Sequence, residues 1–195
     1  SGAQGTDAVQ GGPAAETILL EYRERGDEQA GQLALEGLAR IKSDRLPAIL
    51  SATMASQPLQ ALRLARDFDI RLDNAQIEGL LATATAPVRQ LAMELIGRQG
   101  LSELRPQLEA VLQGTDRRSA YQAILALGRF RDERARASLL QALAQGPDLL
   151  KIAALKAFAD WDDPTLIDEL EPCLEDDNPD IAHACAQVLE KLNGA

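Results

Sequence analysis

The chain has 195 residues, 46% of them hydrophobic and only 3% aromatic, which is enough for a sizeable core built on Leu and Ala rather than on aromatic side chains. Twenty Lys and Arg stand against thirty Asp and Glu, and the net charge of −10 is a poor balance for gripping phosphate backbones. One His, two Cys and the lack of any apolar run near about 18 residues exclude a dense His/Cys metal cluster, a disulfide scaffold and a membrane-spanning helix.

Residues 1–14 are short of Leu, Ile and aromatics and rich in Gly and Ala, so they are expected to be a disordered tail or linker. They carry no basic region followed by an apolar one, and so do not read as an export signal. The first residue is Ser rather than Met, which leaves room for a missing N-terminal region. The expected location is the cytoplasm by default, with a removed export signal as the alternative. Residues 15–195 are expected to form one all-α domain. A lead-in helix falls near 15–25 (ETILLEYRERG), about five helix pairs follow over roughly 28–175, and a last helix spans 179–192.

The pairs are read from self-similarity at a spacing of 31 residues. Blocks start at Val88, Ser119, Leu150 and Ile181, and within them three columns recur. These are Ala92, Ala123, Ala154 and Cys185, then Leu95, Ala126, Ala157 and Val188, then Ile96, Leu127, Phe158 and Leu189. Apolar positions at this spacing mark one face of a helix, with Ser119 breaking the first column. Stepping back by the same interval gives Ala61, Leu64 and Ala65, and then Ala30, Leu33 and Ala34. A second helix follows each first one, with columns Leu104, Ala135 and Leu166, then Leu108, Leu139 and Leu170, then Val111, Ala142 and Cys173, then Leu112, Leu143 and Leu174. A helix apolar along one stripe is stable only when stacked, so the pairs are expected to build an α-α superhelix, right-handed, with the odd helix at each end covering the stack. Asp163-Pro164 and Asn178-Pro179 read as caps ahead of a first-turn Pro, and Gly100, Gly114 and Gly146 sit where helices should stop.

The stretch from Ala126 to Ala135, ALGRFRDERA, resembles HEAT-like repeats, especially the short type of phycobilisome lyase subunits. Pro179-Asp180-Ile181-Ala182 and Ala86-Pro87-Val88-Arg89 resemble the loop and opening turn of the same unit. The resemblance covers 57–192 well and 28–56 poorly. It implies a fold and says little of function, because sites are added to folds. It also implies that second helices line the concave side.

Candidate chemistry is sparse. Iron-holding HEAT-like hydroxylases use repeated His-Glu pairs, but His183 is followed by Ala184, and its column-mates are Gln90, Tyr121 and Ile152. It is read as a solvated helical residue. Cys173 and Cys185 share columns with Val and Ala and are expected to be buried, unlinked thiols. Phe68, Phe130, Trp161 and Leu192 fall in one column and are read as packing between repeats. The run Glu175 to Asp180 lacks the ligand spacing of a calcium loop and is read as helix-entry charge. No catalytic residue, metal site or cofactor is expected.

Charge is uneven. Residues 86–146 carry nine basic and six acidic side chains, every basic one an Arg, whereas residues 147–195 carry three basic and twelve acidic. Arg98 with Arg129, and Arg105 with Arg136, keep the repeat spacing and form two short ladders. Closely spaced guanidinium groups suit carboxylates, so these four are the candidate partner-binding residues. Internal satisfaction by Asp132, Glu133 and Asp160 is the competing reading. The sequence therefore predicts a non-catalytic scaffold that binds a protein partner, through an acidic segment of that partner, along the concave face. The alternatives are a subunit of a lyase-type enzyme acting on a tetrapyrrole-bearing protein, as the resemblance implies, and a nucleic-acid-binding protein, which the acidic balance opposes.

Overall fold

The computed structural model describes residues 7–26 and 28–194, and the side chains of 7–12, 28 and 83 are outside what it describes. The described residues are all-α, with short 3-10 turns and no strand. Backbone contacts divide the 15–195 segment, expected as one domain, between two compact units, Ser1–Leu72 and Asp73–Ala195.

The first unit holds α1 (Asp7–Arg25), α2 (Glu28–Arg40), α3 (Leu46–Ser56) and α4 (Pro58–Asp67). Residues 1–6 of the expected tail lie outside the described residues, and 7–14 form the first turns of α1, Pro13 included. In α2 the 31-residue register fails. Leu33, expected in the core, is 60% exposed; Ala34 is buried as expected, and Leu35, Leu38 and Ala39 join it. The cause is a shorter connection, since the helix-ending residues Lys42 and Asp69 are 27 positions apart.

The second unit holds α5 (Asn74–Thr83), α6 (Ala86–Gln99), α7 (Arg105–Leu112), α8 (Arg117–Gly128), α9 (Glu133–Gln145), α10 (Asp148–Ala159), α11 (Ile167–Leu170) and α12 (Pro179–Asn193). The first helices of successive pairs pack directly on one another, α6 on α8, α8 on α10 and α10 on α12, and the second helices lean on them. The repeat columns form this core: Ala92, Ala123, Ala154 and Cys185 are fully buried, as are Leu108, Leu139 and Leu170. The fourth column of the second helices fades outward, and Leu174 is 45% exposed. Close approach of the first helices depends on small residues. A Cβ on Gly97 would stand 2.5 Å from the Ala126 carbonyl oxygen, and one on Gly128 would stand 2.5 Å from the Ala157 Cβ. Any side chain there forces the helices apart.

The expected caps form. The Asp163 carboxylate accepts from the Thr165 N–H and the Asn178 side chain from the Asp180 N–H, each ahead of a Pro. Ser119, the break in its column, is buried with its hydroxyl donating to Asp116 at 2.6 Å. The last second helix is interrupted, with 3-10 turns at Pro164–Leu166 and Glu171–Glu175 flanking a single α turn. Pro172 has no N–H for the α ladder.

Each first helix from α4 to α10 ends in a left-handed residue, and these recur at the repeat spacing: Asp69 (φ 51°), Gly100 (φ 62°), Arg131 (φ 51°) and Asp162 (φ 50°). Only Gly100 takes this conformation without Cβ strain. A Cβ there would touch nothing within 4 Å, so the cost of Gly100→Ala is conformational alone. The substitution is expected to lower stability by about 1 kcal/mol. Urea unfolding followed by circular dichroism checks it, and an unchanged midpoint would count against a strained turn.

Candidate functional site

The four arginines chosen from sequence separate into two kinds. Arg105 opens α7 and is only 7% exposed. Its Nη1 donates to Asp132 Oδ1 at 3.1 Å, its Nη2 to Asp132 Oδ2 at 2.5 Å, and its guanidinium lies 4.3 Å from the centre of the Phe130 ring. Asp132 is also the N-cap of α9, accepting from the Ala135 N–H at 2.9 Å. One carboxylate thus starts a helix and holds a buried cation from the preceding repeat. The Arg105 hydrogen bonds, with those from the backbone, hold the Asp132 carboxyl below its ordinary value. Its contribution to stability is therefore complete above the unfolded-state value of about 3.9 and is lost as pH falls through the lower folded one.

Arg136, one repeat on in α9, reaches the next repeat. Its Nε donates to Glu169 Oε2 at 3.1 Å and its Nη2 to Glu169 Oε1 at 2.5 Å, while Nη1 and Nη2 reach the Thr165 hydroxyl and carbonyl at 3.3 and 3.2 Å. Its side chain is 17% exposed. The hydrogen bonds to Glu169 raise its already high pKa. Asp163, the repeat equivalent of Asp132, is held low chiefly by its bonds to Thr165, with Arg136 adding a smaller attraction. The guanidinium has moved on to Glu169 where 3-10 turns open the second helix.

Arg98 and Arg129 are different. Both end first helices, α6 and α8, and both are exposed. Arg98 comes no nearer to an acid than 4.0 Å from Glu94 on its own helix, and the Arg129 guanidinium has no partner among the described residues. On the same helices Tyr121 and Leu125 are half-buried, with Lys156 donating to the Tyr121 hydroxyl at 3.0 Å. Asp160, the next member of the Arg98–Arg129 column, is exposed. The ladder therefore ends on an acid.

The other candidates resolve as follows. His183 is exposed, 3.0 Å from Gln187 one turn on. Phe130 and Trp161 pack between repeats: the Trp161 Nε1 donates to the Gly128 carbonyl at 2.7 Å, and its ring meets Phe158 edge-on at 5.4 Å. In the acidic run, Asp176 accepts from Lys151 Nζ at 2.6 Å, and that bond, with one from the Asn178 N–H, lowers its carboxyl and raises the lysine. The expectation of unlinked thiols is wrong. Cys173 and Cys185 form a disulfide, their Cα atoms 6.0 Å apart, joining the last 3-10 turn to α12.

Sequence reading named Asp132 as a possible internal partner and missed Glu169. The missed signal is the offset, because the two arginine contacts span 27 and 33 residues rather than a whole repeat. Among the described residues no group of three or more His, Cys, Asp or Glu is arranged to hold a metal ion, and no helix is long and apolar enough to cross a membrane. A search of curated proteins finds no match. Residues 75–150 match the family model for HEAT repeats, a stretch that holds α6 to α9 and the glycine–alanine seam between α6 and α8. This part of the chain is built of HEAT-like repeats.

Proposed function

We propose that the second unit is a non-catalytic scaffold that docks a carboxylate-rich segment of another protein across the ends of α6 and α8, held by Arg98 and Arg129. The observation that carries this reading is the division of the four arginines. Arg105 and Arg136 are consumed in ties between repeats, while Arg98 and Arg129 stand exposed one repeat apart. Stacked repeats offer extended surfaces of this kind. The docking face is then that of the first helices rather than the second-helix side implied by the resemblance. Asp160 and the acidic 147–195 region limit the partner at that end by repulsion. The Cys173–Cys185 disulfide supports an oxidising compartment rather than the cytoplasm expected by default.

The test is Arg98→Glu with Arg129→Glu. Exposed ion pairs contribute about 0–1 kcal/mol each, and reversal adds repulsion, so partner binding should weaken at least about tenfold while the fold is kept. Recovery of the same partner by the folded double variant at unchanged affinity would move the docking face elsewhere. Arg105→Glu is the contrasting control and should lower thermal stability, because it leaves Asp132 facing a buried like charge.

A further inference from the structure

The first unit departs from the packing of the second at one seam. Where α6 meets α8, and α8 meets α10, a glycine faces an alanine and the backbones touch. Between α2 and α4 the buried residues that line the gap are Leu35 and Leu64, and contact between these helices is sparse. The space left is a cleft of about 590 Å³, within the range of functional binding sites. A second hollow of about 340 Å³ shares Gln32, Leu35, Gln57 and Gln60 with it, so the two run together as one groove along α2 and α4.

The chemistry of the groove is specific. Its floor is apolar, with Leu35, Leu59, Leu64 and Phe68. Of the acids lining the larger cleft, Glu36 accepts from the Gln32 side chain at 3.5 Å and Asp67 from Arg66 at 2.8 Å, while Glu24 lines the smaller hollow together with Arg23. The two cations lining the larger cleft, Arg40 and Arg63, are exposed and have no partner among the described residues. Gln57 and Gln60 also lack side-chain partners among the described residues. A free carboxamide donates and accepts at once, which matches the peptide unit of an extended strand and has no use against a helix whose backbone is already paired.

We infer that the α2–α4 groove is a peptide-binding site for an extended acidic segment of a partner protein. An apolar side chain of the segment enters the Leu59–Phe68 floor, Gln57 and Gln60 hold its main chain, and Arg40 and Arg63 pair with carboxylates on either side of the apolar residue. This site does not depend on Arg98 or Arg129.

The experiment presents the full chain to an array of peptides of about ten residues, with each position varied among Glu, Lys, Leu and Ser. Retained peptides should carry Leu bracketed by Glu, and should keep binding when Pro, which opposes helix, flanks that Leu. The best of them, measured by fluorescence anisotropy, should bind Arg40→Glu/Arg63→Glu at least tenfold more weakly and Gln60→Ala a few-fold more weakly. Arg98→Glu/Arg129→Glu should bind it as the parent does, which separates this site from the one on the second unit. Retention of Lys-rich peptides, a requirement for helix-forming sequence, failure of any acidic peptide to bind saturably, or unchanged affinity in the Arg40/Arg63 variant would each overturn the assignment. If the double reversal fails to fold by circular dichroism, Arg40→Gln/Arg63→Gln carries the same comparison with the same expected direction.

Discussion

Phe158→Ala is expected to remove about 3–5 kcal/mol from the stability of the second unit, lowering its Tm by roughly 10 °C for a chain of this size. Phe158 is fully buried in α10, and it is the one aromatic in a column otherwise filled by Ile96, Leu127 and Leu189. Truncation removes its ring from the edge-on contact with Trp161 and leaves a void between helices that small residues already hold at close range. Those helices cannot slide closer to fill it. The aliphatic column-mates supply a control, since Phe158→Leu keeps most of the volume and should cost about 1 kcal/mol. Trp161 is the chain's single tryptophan and lies beside the site, so its fluorescence during urea unfolding reports on this unit. Equal midpoints for the alanine and leucine variants would show that Phe158 is not the packing centre inferred.

Much of this architecture was legible because each repeat states the same constraint again. A single helix with Ala, Leu and Ile at the right spacing is ambiguous, but Ala92, Ala123 and Ala154 recurring every 31 residues specify a shared interior place, and all three are fully buried. The same logic failed at α2, where a shortened connection moved the register and put Leu33 outside. Periodicity cannot report an insertion or deletion that it is itself used to measure. At the arginine ladders, equal spacing showed that Arg105 and Arg136 occupy equivalent positions but not which way they turn. A guanidinium reaches far enough to choose among several acids, and the choice depends on where the next helix starts. That start is set by the Asp132 cap in one repeat and by a 3-10 turn in the next. Arg98 and Arg129, at helix ends with solvent beyond, had no such choice to make.

Replacing both cysteines by alanine is expected to cost about 3 kcal/mol, the chain-entropy value for closing a loop of this length, and treatment of the parent with a reductant should produce nearly the same loss. Cys173 and Cys185 are 12 residues apart, with a 3-10 turn and the acidic run between them. Without the link, the interrupted second helix of the last pair, a single α turn between two 3-10 turns, has little regular backbone bonding to hold it on α12. The apolar contribution of the two sulfurs is small by comparison, because the equivalent places one repeat earlier, Ala142 and Ala154, are filled by methyl groups. Those column-mates explain the sequence-based expectation of unlinked thiols. They establish that the site is small and apolar, and only the facing of two columns across the turn adds that the two sulfurs meet. Two readouts separate the cases. A denatured, unreduced sample should show no thiol reactive toward a sulfhydryl reagent, and its urea midpoint should fall on reduction to that of the Cys173→Ala/Cys185→Ala variant. Two reactive thiols, or a midpoint indifferent to reductant, would return both cysteines to the role of plain core residues.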